Sequence, residues 1–136
     1  MTNPTAESTS RTLPTADGDL HFHEAGAGPP LVLLHGSGPG VSAWANFGDN
    51  LPTFATRFRV LALDLPGFGR SYEPSDNPAL HGPAAVLAFL DGLGLEQVAI
   101  IGNSLGGGIA ARVAANHPDR VTRLVTLGGV GVPLFS

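Results

Sequence analysis

An α/β fold built on a mostly parallel sheet is what these 136 residues predict, and three observations predict it. Four continuous apolar runs, PPLVLLHG (29–36), RVLALDLPG (59–67), QVAIIGNS (97–104) and RVTRLVTLGG (120–129), do not alternate apolar with polar residues. Such runs mark strands buried on both faces, as in parallel sheets. The spacers between them are long enough for crossover helices. Charged residues make up only 13% of the chain, against about a quarter in typical soluble domains. A sheet covered on both faces accounts for that deficit, and so does a piece whose covering partner is missing.

Taken in order, residues 1–12 (MTNPTAESTSRT) read as a loose polar arm, and residues 13–136 as the amino-terminal part of one domain. RTLPT and DLHFHEAG flank ADGD, the pattern of a hairpin joined by a short Asp-Gly turn. In its second strand Leu20 and Phe22 share one face, and His21 and His23 share the other. A His-x-His pair can bind zinc. No further Cys or His is nearby in sequence, so a solvated strand face is expected and no metal site. ALHGPAAVLAFLDGLG (79–94) predicts a helix starting near Pro83, since proline suits a first turn. LGGGIAARVAANHP (105–118) predicts another, stopped by Pro118. Strand and helix alternating three times give an open sheet with right-handed crossovers.

Several classes are excluded. All seven basic residues are scattered Arg, and the net charge is −4, unlike a nucleic-acid or polybasic membrane surface. The chain has no Cys, hence no disulfide frame and no thiolate metal site. The first dozen residues lack the apolar stretch of a signal peptide, and no apolar run approaches the ~18 residues of a membrane span. The expected compartment is the cytoplasm.

Ligands of such sheets bind at the carboxyl ends of the strands, where two unusual sequences fall here. Gly102-Asn103-Ser104-Leu105-Gly106 fits the G-x-S-x-G nucleophile elbow. A serine on so tight a turn crowds the residues two before and two after it, and glycine removes the colliding Cβ atoms. The helix behind it aims the Leu105 N–H at nearby negative charge. Gly107 and Gly108 cost helix propensity, which points to close packing against a neighbour. An ordinary helix cap at Ser104 is the alternative that needs no chemistry. The second signal is LLHGSGPGVSAW (33–44), a glycine-rich turn after a neighbouring strand. A tetrahedral oxyanion needs a second N–H donor, and the backbone of Ser37 is placed to supply it.

A dinucleotide-binding turn is the main rival, with Asp64 as its ribose-binding acid. Gly36-Ser-Gly38-Pro-Gly40 lacks the G-x-G-x-x-G spacing, and Pro39 removes an N–H that a pyrophosphate would use. A phosphate-binding P-loop needs a Lys, and the chain has none.

With these residues in view, the chain resembles the α/β-hydrolase family over residues 12 to 136. More narrowly it resembles the meta-cleavage-product hydrolases, which split carbon–carbon bonds in ring-opened aromatic catabolites. The likeness lies in HGSGPGVSAWANF (35–47), DLPGFGRS (64–71), GNSLGG (102–107) and HPDRVTRLV (117–125). The resemblance implies that Ser104 is the nucleophile and that the N–H groups of Ser37 and Leu105 form the oxyanion hole, with Gly38 beside it. It further implies that Asn46 and Asn103 hold the polar end of a small 2-hydroxy-6-oxo-dienoate, with no cofactor, and that the complete form is a homo-oligomer. Capping or turn stabilisation is the alternative for both Asn residues. Trp44 is expected to pack its helix against the sheet, His35 and Asp64 to orient loops, and Arg70 to be a solvated loop charge.

The fold order of the triad, Ser…Asp/Glu…His, requires both partners after Ser104. His117 is the only later histidine, and thirteen residues of helix put it roughly 20 Å away. The only acid beyond Ser104 is Asp119, at that same end. Relatives continue into a lid and further strands where this chain ends in GVGVPLFS, so the chain as given is expected to be inactive. A carboxylesterase, or a non-catalytic remnant of the fold, is the alternative function.

Overall fold

The computed structural model describes residues 3–128, and these form one six-stranded sheet with helices on both faces. The strands are β1 (Ser10–Thr15), β2 (Gly18–Ala25), β3 (Pro30–Leu34), β4 (Arg59–Leu63), β5 (Val98–Asn103) and β6 (Val121–Leu127). Their order across the sheet is β1-β2-β4-β3-β5-β6. The β1–β2 and β2–β4 pairs are antiparallel, and the other three are parallel. The four apolar runs and the hairpin all form strands. The run ends (residues 35–36, 64–67 and 104) turn out to be the loops that carry polar groups. The last stretch of the fourth run, and GVGVPLFS (129–136), lie outside the described residues.

Alternate residues of each central strand feed opposite faces. Val32, Leu34, Leu61 and Leu63 pack under α4 (Gly82–Gly92) and α5 (Leu105–Asn116), against Val86, Phe89, Ile109 and Val113. Leu31, Leu33, Val60 and Ala62 pack under α2 (Ala43–Phe47) and α3 (Leu51–Phe54), against Phe47 and Leu51. Double burial is why these strands lack a polar face. Pro83 stands in the first turn of α4, where its missing N–H costs nothing. His117 caps α5 in a non-helical conformation just before Pro118. Among the described residues no helix is long and apolar enough to cross a membrane.

The amino-terminal segment departs from the sequence reading. Within the expected arm, Ala6–Thr9 form a short helix, α1, and β1 starts at Ser10. A reciprocal capping box starts the helix, in which the Ser8 N–H donates to Thr5 Oγ1 at 3.0 Å and the Thr5 N–H to Ser8 Oγ at 2.9 Å. The helix lies over the outer face of β2, so the solvated face expected for His21 and His23 is a buried one. His23 Nδ1 bonds Thr9 Oγ1 at 2.8 Å, and its ring lies 5.1 Å from that of Trp44. Trp44, half-buried, packs against the α2 side of the sheet as expected.

Among the described residues β6 pairs only with β5, and Leu124, Val125 and Leu127 are 38%, 49% and 50% exposed. An open apolar edge of this kind templates association. The chain as given is expected to self-associate with rising concentration and to bind a hydrophobic dye, both reduced by Val125→Lys. Sedimentation and dye fluorescence check this; a dye-silent monomer would contradict it.

Candidate active site

β3 and β5 run side by side in parallel register, with Leu34 opposite Gly102, so the loops that leave them meet. Ser104 forms the turn from β5 into α5 with φ 53° and ψ −112°. Among the described residues it is the only non-glycine with positive φ. Its side chain makes no capping bond, so it is not an ordinary helix cap. The conformation is held from both ends: the Ser104 N–H donates to Leu127 O at 2.9 Å, and the Gly106 N–H to His35 O at 3.1 Å.

The flanking glycines are there for space. A Cβ at Gly102 would strike the Gly106 carbonyl and sit 2.7 Å from Gly107 Cα. A Cβ at Gly106 would strike Leu34 O and lie 2.6 Å from His35 O. The spacing of the motif thus reports three backbones in contact. Gly107 is buried as well.

The facing loop comes equally close. A Cβ on Gly36 would lie 3.3 Å from Ser104 Cβ and 3.6 Å from Asn103 Nδ2. Ser37, the next residue, and Gly38 (φ 135°) are exposed on this loop, and Leu105 is buried at the start of α5. Asn46 joins the two loops. Its Oδ1 accepts from the Gly36 N–H at 3.1 Å and from Asn103 Nδ2 at 2.9 Å. Capping of α2 falls instead to Ser42, whose Oγ accepts from the Ala45 N–H at 3.1 Å. The two asparagines therefore bond each other first, a pairing across 57 residues that no local pattern announces.

His35 and Asp64 hold the loops from beneath. The Leu65 N–H donates to His35 Nε2 at 3.0 Å, which leaves the proton on Nδ1 to donate to Gly36 O at 2.6 Å. This neutral tautomer ties the loop after β3 to the loop after β4. Asp64, 2% exposed, accepts from the Ala43 N–H at 2.8 Å, the Arg70 N–H at 3.0 Å and His21 Nδ1 at 2.8 Å. A carboxylate this buried and committed to three donors of the chain itself is not presented to a ribose, which argues against the dinucleotide alternative. Arg70 is exposed. Among the described residues no cluster of three His, Cys, Asp or Glu side chains is arranged to hold a metal ion.

All five histidines lie among the described residues, and none is free to serve Ser104. His35 has both ring nitrogens committed, His21 and His23 lie under α1, and His81 pairs with Asp76. His117 is exposed at the far end of α5.

Comparison with known proteins agrees with the fold. A family model described as the alpha/beta hydrolase fold matches residues 29–135. The chain is 49% identical over 115 residues to a 2-hydroxymuconate semialdehyde hydrolase of Pseudomonas sp. strain CF600, covering 82% of this chain and 40% of that protein. It is 42% identical over 134 residues to a 2-hydroxy-6-oxo-2,4-heptadienoate hydrolase of Pseudomonas putida F1, covering 97% and 48%. Among solved structures, a 2-hydroxy-6-oxo-6-phenylhexa-2,4-dienoate hydrolase from Rhodococcus sp. strain RHA1 superposes with a TM-score of 0.85 at 31% identity, covering 93% and 48%. The chain thus spans less than half the length of the relatives it matches.

Burial holds the His35 and His23 imidazoles below the usual 6.5, as their main cause in each case. The unfolded chain takes up these protons as pH falls through 6.5, while the folded chain resists until lower pH, so unfolding gains proton binding in that window. Thermal stability should be level well above pH 6.5 and fall as the pH drops below 6.5, less steeply in His35→Gln, by circular dichroism. A flat profile in the parent would contradict the neutral tautomers.

Proposed function

Since the chain belongs to the α/β-hydrolase fold family, we propose that it is the serine-bearing part of a carbon–carbon bond hydrolase acting on 2-hydroxy-6-oxo-dienoates, the ring-cleavage products of aromatic catabolism. The observation that carries this is Ser104 at positive φ, between an oxyanion-type loop and the start of α5. Positive φ on a residue with a Cβ costs about 1–3 kcal/mol and persists where function needs it.

In this scheme Ser104 Oγ, or a water beside it, attacks the ketone carbon of the dienoate. The N–H groups of Ser37 and Leu105 receive the developing oxyanion, with Gly38 leaving room beside them. Asn46 and Asn103 hold the carboxylate and hydroxyl end of the substrate. Each keeps the partner bond that fixes it: Asn46 Oδ1 is spoken for, and its amide N–H groups remain to donate. The carbon–carbon bond then breaks, releasing a carboxylic acid and a 2-hydroxydienoate. A general base must first ketonise the dienol and take the serine proton. That base and its acid partner come from outside this chain's own histidines, so the chain alone is inactive, and the enzyme is a cytoplasmic one that needs no cofactor.

The test is a protein completed with a lid and the remaining strands. It should bleach a yellow 2-hydroxy-6-oxo-dienoate faster than it hydrolyses an aryl ester of similar size, and Ser104→Ala should lower that rate by about 10³-fold or more. Preference for the ester would make it a carboxylesterase; turnover by the chain alone, lost in Ser104→Ala, would mean that a base within it had been overlooked.

A further inference from the structure

A second serine, remote from the β5–α5 turn, has the company that Ser104 lacks. Ser10 opens β1 and is half-buried. Its Oγ lies 2.6 Å from His21 Nε2, and His21 Nδ1 lies 2.8 Å from Asp64 Oδ2. The proton positions follow from Asp64. Its carboxylate collects N–H donors, so in the neutral ring His21 Nδ1 carries the proton and Nε2 presents a lone pair to Ser10. Ser10 therefore donates to His21. The Arg70 guanidinium approaches the same oxygen, with Nη1 at 3.5 Å.

Three separated segments build this series: the junction of α1 with β1, the strand β2, and the carboxyl end of β4. A cavity of about 230 Å³ lies alongside, lined by His21, Asp64, Arg70 and Trp44 among others, with Ser10 outside its lining. A hydroxyl, an imidazole and an orienting carboxylate in hydrogen-bonded series, next to a cation, is an arrangement that activates a nucleophile.

We propose that Ser10 is a second activated serine, one that accepts the acyl group of small, uncharged, activated esters such as aryl acetates. Ser10 Oγ adds to the ester carbonyl while its proton passes to His21 Nε2. The oxyanion forms on the Arg70 side. It collapses by breaking the carbon–oxygen bond to the aryl group, and the aryloxide leaves with the proton from Nε2. The products are an ester on Ser10 and a phenol.

The experiment uses the chain carrying Ser104→Ala, so that acylation at the β5–α5 turn is removed and failure here leaves the proposed function untouched. The chain is mixed with 4-nitrophenyl acetate, nitrophenolate release is followed, and acetylated peptides are mapped by mass spectrometry. The absence of Lys removes the usual competing acceptors. Ser8 and Ser75, both exposed, serve as internal standards. Ser10 should acquire acetyl at least tenfold faster than either, and guanidinium should abolish the difference. His21→Gln should reduce Ser10 to the rate of the standards. Equal labelling of the three serines in the native chain would overturn the proposal, as would selective labelling of Ser10 that survives His21→Gln.

Discussion

Three stretches of backbone pass within contact of one another where β5 turns into α5, and the geometry of the site depends on that approach. Gly102 faces the first turn of α5, Gly106 faces the carbonyls that end β3, and the Gly106 N–H bonds His35 O at 3.1 Å. Any side chain at either glycine would push α5 off the sheet. Ser104 is the residue left to absorb the sharpness of the turn, and it does so in a backbone conformation that L residues rarely adopt. Packing of Ile109 and Val113 beneath the sheet supplies the restraint that keeps it there.

The loops around this turn are fixed by buried and half-buried polar side chains that bond to the chain itself. His35 bridges the loops after β3 and β4 as a neutral imidazole, and Asp64 gathers the start of α2, the Arg70 loop and β2. Asn46 draws the Gly36 loop onto Asn103. Buried groups of this kind are costly when unpaired, so a filled network holds one loop arrangement against others. The site is therefore organised before any ligand arrives.

The sheet was legible because burial on both faces erases the polar alternation of a strand, as in Leu31–Leu34. The turn was legible because its glycine spacing is a direct imprint of Cβ collisions. Less of the amino terminus could be read. Thr5 and Ser8 belong to a stretch that is polar throughout, so their capping box does not stand out from a loose arm. With α1 unseen, His21 and His23 had no visible cover, and the partner of His21 is 43 residues away in Asp64. The mutual bond of Asn46 and Asn103 was hidden for the same reason. The resemblance marks each of them separately, and only the fold brings them together.

The central claim is that Ser104 is strained rather than serving as a cap, and the stability of Ser104→Gly tests it most directly. Glycine adopts positive φ without a Cβ clash, at a cost of about 0.5–1 kcal/mol in unfolded-chain entropy, against about 1–3 kcal/mol of relieved strain. Urea unfolding of the protein, followed by circular dichroism, should therefore give Ser104→Gly a higher midpoint than the parent, with Ser104→Ala close to the parent. A cap predicts instead that both variants fall below the parent, alanine lowest. That result would contradict the account.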